Sequence, residues 1–145
     1  MAVYGRYVGN KKLIDYEYFN VNPKGRKTGD CSTRALALTL NIDYEDALKE
    51  QCEKAAKYCF GVTCRETMDK ILKEYSYKKM KMPKRDDNTR YRVNEMNEIL
   101  TKKQMDEGVF ISVCGHYTCI KDSKIKDIWD CGYYKVGNYW VLEED

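Results

Sequence analysis

The spacing of apolar side chains predicts helices in the first half of the chain and strands in the second. A first helix is predicted over residues 31–40, where apolar positions recur at three- and four-residue steps. Its apolar face carries Cys31, Ala35, Leu38 and Ile42. A second helix is predicted from Tyr44 to Tyr58, with Asp43 as its N-cap and Gly61 as its C-terminal stop. Its buried stripe is predicted to be Tyr44, Ala47, Leu48, Cys52, Ala55 and Cys59.

Two shorter helices are predicted farther along. Thr63 and Glu66 match the capping-box pattern and predict a third helix to about Glu74. Its inward positions are Met68, Ile71, Leu72 and Tyr75. Asn94 is predicted to cap a fourth helix that ends near Gln104, after a charged, turn-rich surface loop at 83–91.

Runs of β-branched and aromatic residues predict strands within residues 13–21, 75–82, 109–121, 124–130 and 138–142. The run 109–121 is interpreted as a strand pair or as one long strand kinked at Gly115. If Asp122 and Ser123 form the two-residue loop of the next hairpin, Lys121 faces Lys124 and His116 faces Trp129. Asp127 then lies diagonally beside His116 on the same face of the sheet.

Segregation of helices and strands along the chain indicates an α+β fold. A length of 145 residues suits one domain. Residues 1–21 are predicted to form a peripheral N-terminal segment, residues 22–105 a mainly helical half, and residues 106–145 an antiparallel β half. The helix that begins at Cys31 is expected to pack centrally on this sheet.

Composition indicates a folded protein with reduced thiols. Apolar residues make up 43% of the chain and aromatic residues 12%, which excludes a disordered polypeptide. Seven cysteines occur, yet Met1–Lys12 lacks the apolar run of a secretory signal, and no segment is long enough to span a bilayer. We therefore expect a protein of the reducing cytoplasm, without membrane association, whose thiols are free and mostly buried.

Charge and cysteine spacing argue against two other kinds of site. The net charge of +3 is mild. The positive charge of the basic stretch 78–85 is partly offset by acidic residues near it, so nucleic-acid binding is not expected. Zinc sites commonly use short Cys-x-x-Cys pairs. The spacings here are Cys52-x6-Cys59, Cys59-x4-Cys64 and Cys114-x4-Cys119, and we expect neither a metal nor a cofactor.

Candidate chemistry lies at Cys31, His116 and Asp127. A cysteine in the first turn of a helix meets unpaired N–H groups and partial positive charge, which favour the thiolate. His116 is the only histidine of the chain. Cysteine, histidine and a carboxylate on neighbouring elements form a set of nucleophile, base and orienting group. Asp130 is the rival orienting residue, but it points to the opposite strand face from Asp127.

Each of these residues also has a plain structural interpretation. A lone histidine is often structural, and Asp127 can be a solvated strand residue. Asp30 can be a simple N-cap whose charge opposes a thiolate at Cys31. Arg34 can pair with Asp30 or Glu45 without any catalytic role.

Four short motifs carry a resemblance to a known family. They are Gly-Asp-Cys-x-x-Arg-Ala at 29–35, Gly-His at 115–116, Asp-Ile-Trp-Asp at 127–130 and Asn-Tyr-Trp at 138–140. In this order, over residues 22–141, they resemble the small papain-like cysteine protease domains common in bacteriophage genomes. The resemblance implies a papain-like α+β fold with Cys31 as nucleophile and His116 as base. The family's orienting residue precedes a tryptophan by two positions, which here is Asp127.

The chain departs from the papain pattern at the oxyanion hole. The family uses a glutamine a few residues before the nucleophile, whereas the first glutamine here is Gln51. The Cys31 backbone N–H is the natural first donor, and Asn22, Thr28 or a backbone group would have to supply the second.

The leading functional hypothesis is a papain-like cysteine hydrolase, peptidase or isopeptidase-like, or an acyltransferase. It would use Cys31, His116 and Asp127 on an amide or thioester carbonyl of a peptide or protein, including a host bacterial protein. The alternative is a catalytically inactive papain-like phage protein that binds and blocks a host protein. Either would work in the host bacterial cytoplasm.

Overall fold

The chain adopts an α+β fold built on a six-stranded mixed sheet. The computed structural model describes residues 6–8 and 11–144; the remainder of the predicted peripheral segment, residues 1–5 and 9–10, lies outside the described residues. The strands are β1 (Arg6–Val8), β2 (Lys11–Leu13), β3 (Tyr16–Tyr18), β4 (Tyr77–Met80), β5 (Val109–Val113), β6 (His116–Lys121), β7 (Lys124–Asp127) and β8 (Tyr139–Leu142). The helices are α1 (Cys31–Leu40), α2 (Tyr44–Tyr58), α3 (Arg65–Glu74) and α4 (Lys102–Glu107), with a 3-10 helix at Val93–Glu98.

The strand order in the main sheet is β3-β7-β6-β5-β8-β4, and β1 pairs separately with β2. The prediction of an antiparallel sheet confined to residues 106–145 was wrong in two respects. Strand β3 pairs with β7 in parallel, and β4 adds an antiparallel strand from the helical half. Segments assigned to the periphery and to the helical half therefore form the two edges of the sheet.

The hairpin between β6 and β7 has the predicted register. Lys121 pairs with Lys124, and Ile120 pairs with Ile125. Asp122 and Ser123 both have positive φ, 53° and 59°, which suits a two-residue hairpin loop that follows the twist of the strands. Strand β7 ends at Asp127 instead of continuing to Asp130, so Trp129 lies just beyond it.

The sheet is buried on both faces. Strand β5 is buried throughout and sends Val109, Ile111 and Val113 into a core shared with Val93 and Met96 of the 3-10 helix. Phe110, between them, enters a second core with Leu36 of α1. Because α1 packs directly against β6, the first residue of the helix, Cys31, comes near the first residue of the strand, His116.

The predicted bounds of α1 and α2 are confirmed, but the predicted buried face of α2 is confirmed only at Ala47 and Ala55. Cys52 and Cys59 are exposed, and the buried side is made by Ala47, Gln51, Lys54 and Ala55. Gln51 is buried because its amide donates to Ser32 Oγ at 2.9 Å and accepts from Thr33 Oγ1 at 2.6 Å. Cys59, not Gly61, ends the helix in the left-handed conformation, with φ 58°.

The later helices also begin at other residues than predicted. Helix α3 is capped by Cys64 instead of Thr63, whose capping box does not form. The single helix predicted from Asn94 to Gln104 is two elements, because Thr101 and Gln104 make their own capping box and start α4. Among the described residues, no helix has the length and apolarity needed to cross a membrane.

Candidate active site

Cys31 is the first residue of α1 and is partly buried. The preceding Asp30 occupies the N-cap position, but its side chain makes no capping hydrogen bond to the backbone N–H groups of the helix. The first-turn N–H groups therefore keep their partial positive charge close to the Cys31 sulfur, as the sequence predicted.

His116 lies where β6 begins, and its ring is held on two sides. Its Nε2 lies 2.7 Å from Asp127 Oδ2. The indole of Trp129 packs edge-on against the ring, with 4.6 Å between centroids. Since Nε2 is engaged with Asp127, Nδ1 is the nitrogen left to face the thiol.

The thiol and the imidazole shift each other toward an ion pair. Burial raises the pKa of Cys31, but a hydrogen bond with His116, one from the Tyr117 backbone N–H, and the nearby charges outweigh it, so the pKa is lowered. Burial lowers the pKa of His116, but hydrogen bonds with Asp127, Cys131 and Cys31 prevail and raise it to about 11. The two shifts favour a thiolate beside an imidazolium.

Asp127 is 2% exposed and is held by its side chain and its backbone. Its Oδ1 accepts hydrogen bonds from Arg34 Nη1 at 2.8 Å and from the Ile128 N–H at 2.7 Å, while Oδ2 meets His116. Its carbonyl accepts from the Tyr16 hydroxyl and the Phe19 N–H, both at 3.0 Å. Burial raises the pKa of this carboxyl, but the His116 and Arg34 contacts lower it overall, so it stays ionised.

Asp130 does not take the orienting position. Its Oδ1 accepts a hydrogen bond from the Gly132 backbone N–H at 3.0 Å, within the turn that follows β7. The His116 ring is met by Asp127, as the hairpin register predicted.

Asp30 belongs to a buried network behind the thiol. Its carboxylate accepts hydrogen bonds from Arg34 Nε at 2.8 Å, the Tyr44 hydroxyl at 2.8 Å and the Asn22 amide at 3.0 Å. The expected opposition of this charge to a Cys31 thiolate is countered, because Arg34 neutralises it. The pairing of Arg34 with Asp30, weighed against Glu45 from the sequence, is confirmed.

A cavity of about 520 Å³ opens over the thiol and the imidazole. Its lining consists of Thr28, Gly29, Cys31, Arg34, Cys114, Gly115, His116, Ile128, Trp129 and Tyr134. Thr28, one of the predicted oxyanion donors, thus lines the same cavity as the thiol. Asn22 is not available as an oxyanion donor, because its amide nitrogen donates to Asp30 and its Oδ1 accepts from the Lys24 N–H. The assignment of Asn22 to the oxyanion hole is therefore corrected.

Three residues of the site escaped the sequence reasoning in whole or in part. From the sequence, Arg34 was expected only to pair with a carboxylate, and Tyr134 was linked to no site. Cys131 lies outside the predicted helices and strands, yet it is buried with its Sγ 3.8 Å from Asp127 Oδ2. The signal available for Arg34 was its place one turn after Cys31, on the same helix.

Metal-ligating atoms of His116, Asp127 and Cys131 lie within 4.8 Å of one another. The carboxylate at the centre of this group already faces the Arg34 guanidinium. A divalent cation there would be repelled by Arg34 and would compete with the proton of His116. The charges of the group fit a shared proton better than a metal ion.

Comparison with known proteins identifies no relative. No protein-family model matches the chain, and neither a curated protein nor a solved structure is detectably similar to it.

Proposed function

We propose that the protein is a papain-like cysteine hydrolase or acyltransferase. The observation that carries the proposal is that the Cys31 thiol and the His116 imidazole line one open cavity, while the imidazole lies 2.7 Å from Asp127. A helix-borne thiol that meets a strand-borne histidine in a cleft is the arrangement on which papain-like chemistry depends.

The reaction begins with attack of the Cys31 thiolate on a carbonyl carbon, which forms a C–S bond and a tetrahedral oxyanion. His116 gives its Nδ1 proton to the leaving nitrogen or sulfur as the scissile bond breaks, and an acyl-thioester remains on Cys31. The now neutral His116 takes a proton from water, or from another acceptor nucleophile, as that group attacks the thioester. The products are an acid or a transferred acyl group, and the thiolate–imidazolium pair is restored.

The oxyanion would be stabilised by the Cys31 backbone N–H, in the first turn of α1. The Thr28 hydroxyl lines the same cavity and is our candidate for the second donor. This replaces the glutamine of the papain pattern.

The lining of the cavity indicates the kind of acyl group. Trp129 and Tyr134 pack together with 5.0 Å between centroids, and Ile128 adjoins them. We infer that the substrate is a peptide or protein amide, or a thioester, with an apolar or aromatic group next to the reacting carbonyl. The free thiols of the chain suit a reducing compartment, which we propose is the cytoplasm of a bacterial host.

The test is acylation by a chromogenic p-nitrophenyl ester. We expect a burst of about one nitrophenolate per protein and an acyl mass adduct on the Cys31 peptide. Cys31→Ala should abolish both. Cys114→Ala is the matched control, because Cys114 lines the same cavity but lacks the histidine partner, and it should keep both. A burst that survives in Cys31→Ala, or equal labelling of Cys114, would refute the proposal.

A catalytically silent binding protein is the second candidate. It is favoured by Asn22, whose amide is bound to Asp30 and so cannot serve the oxyanion. In that case the ester gives no burst, and Cys31→Ala binds its protein partner as tightly as the unmodified chain does.

A further inference from the structure

Arg34 joins the two sides of the candidate site. It lies one turn after Cys31 on α1, and its residue is 5% exposed. Its Nε donates to Asp30 and its Nη1 donates to Asp127, both at 2.8 Å. The guanidinium carries its donors in a rigid planar fork, so two different nitrogens hold the two carboxylates in a fixed geometry.

The Arg34–Asp127 pair connects the helix of the nucleophile to the strand of the orienting carboxylate. The nucleophile and Arg34 share one rigid helix, so the distance from that helix to Asp127 is set by an ion pair at 2.8 Å. The same pair determines the rotation of the carboxylate. With Oδ1 taken by Arg34 and the Ile128 N–H, Oδ2 is the oxygen directed at His116.

Stability alone gives a weak reason for this arrangement. Taking three charged groups out of water costs several kcal/mol per ion, which their attraction repays only with good geometry. Replacement of a buried ion pair by well-packed apolar residues often leaves the free energy of unfolding unchanged or raises it. A buried arginine between two carboxylates, against the thiol–imidazole pair, is therefore better explained by chemistry.

We propose that Arg34 is a positioning residue that fixes the Asp127 carboxylate, and through it His116, in the orientation that activates Cys31. The inference extends the proposed function and depends on it. Arg34 acts through Asp127 and is not assigned any contact with the substrate.

The experiment measures the rate of iodoacetamide alkylation of Cys31 from pH 5 to 10, with peptide mass mapping to separate the seven cysteines. The variants are Arg34→Met, which removes the charge, and Arg34→Lys, which keeps the charge but lacks the planar fork that holds the two carboxylates in a fixed geometry. Arg85→Met is the matched control, because Arg85 also pairs with two carboxylates, those of Glu95 and Glu98, away from the cavity.

We expect the pH midpoint of Cys31 alkylation in the unmodified chain to lie below the ordinary thiol value of about 8.5. Arg34→Met should raise it by one unit or more, which is about a tenfold slower reaction near pH 6. Arg34→Lys should raise it by a smaller amount, and Arg85→Met should leave it unchanged. In an Asp127→Asn background, Arg34→Met should raise the midpoint by less than it does in the unmodified chain, because only the direct effect of the Arg34 charge on Cys31 remains.

Failure of this inference differs from failure of the proposed function. If Cys31 of the unmodified chain titrates as an ordinary thiol, near pH 8.5, the thiol is not activated and the proposed function fails. If Cys31 is activated and both folded Arg34 variants keep its midpoint, the positioning role is overturned. If Arg34→Met does not fold, Arg34→Lys decides. If both unfold while Arg85→Met folds, Arg34 serves the fold, which also overturns the proposal.

Discussion

Replacement of Asp127 by asparagine perturbs the centre of the proposed site with almost no change in shape. The carboxylate bonds His116 at 2.7 Å and Arg34 at 2.8 Å. Asparagine keeps one acceptor oxygen but loses the negative charge, and it leaves two buried cationic groups with one fewer counter-ion. We expect the variant to be less stable and its thiol less reactive.

The magnitude follows from these two contacts. A hydrogen bond to a charged group contributes about 1.5–3 kcal/mol, and breaking a buried ion pair by removal of one partner costs about 3–5 kcal/mol. The substituted asparagine would retain one acceptor, and Arg34 would retain Asp30 as a partner. We therefore expect the free energy of unfolding to fall by about 3 kcal/mol.

The assay is urea unfolding at pH 7, followed by the fluorescence of Trp129 and Trp140. Asp69→Asn is the control, because its pair with Lys79, at 3.2 Å, has both side chains more than a third exposed. Such a pair contributes about 0–1 kcal/mol. If Asp127→Asn lowers the free energy of unfolding by no more than Asp69→Asn does, the buried ionic network does not have the charges assigned to it.

Further predictions concern pH, backbone packing and the aromatic wall. The raised pKa of His116, about 11, gives stability that is complete below pH 6.5 and is lost as the pH rises toward 11. The lowered pKa of Cys31 has the opposite effect, because it makes the fold more stable as the pH rises to about 9. The melting temperature should therefore fall most clearly between about pH 9 and 10.5, and it should fall less in His116→Gln. Gly108→Ala should cost about 3 kcal/mol in urea unfolding, because φ is 124° and the new Cβ would lie 2.7 Å from the Thr39 carbonyl oxygen; a loss under about 1 kcal/mol would contradict this. Trp129→Ala should slow ester acylation about tenfold by admitting water to the His116–Asp127 pair, and an unchanged rate would exclude a shielding role.

Local spacing made much of the site predictable from the sequence. A helix start places Cys31 in the field of unpaired N–H groups whatever the rest of the fold does. A two-residue loop fixes hairpin register, so the neighbourhood of His116 and Asp127 followed from counting residues. Both features depend on short stretches of chain.

The features that were missed depend on distant partners. Parallel pairing of β3 with β7 joins segments far apart in the chain and leaves no local pattern. The side chains of Gln51 and Lys54 are buried because they bond to Ser32, Thr33, Glu50 and Glu74. Their polarity alone predicted that they would lie on the solvent-exposed face of α2. The role of Arg34 likewise follows only once Asp127 is known to lie beside it.

The thiolate–imidazolium pair is tested most directly by nuclear magnetic resonance of protein labelled with ¹⁵N-histidine. His116 is the only histidine, so the spectrum reports one imidazole. We predict that the ring carries both protons at pH 8, because its pKa is raised to about 11. A neutral ring at pH 8, titrating near the ordinary value of about 6.5, would contradict the account.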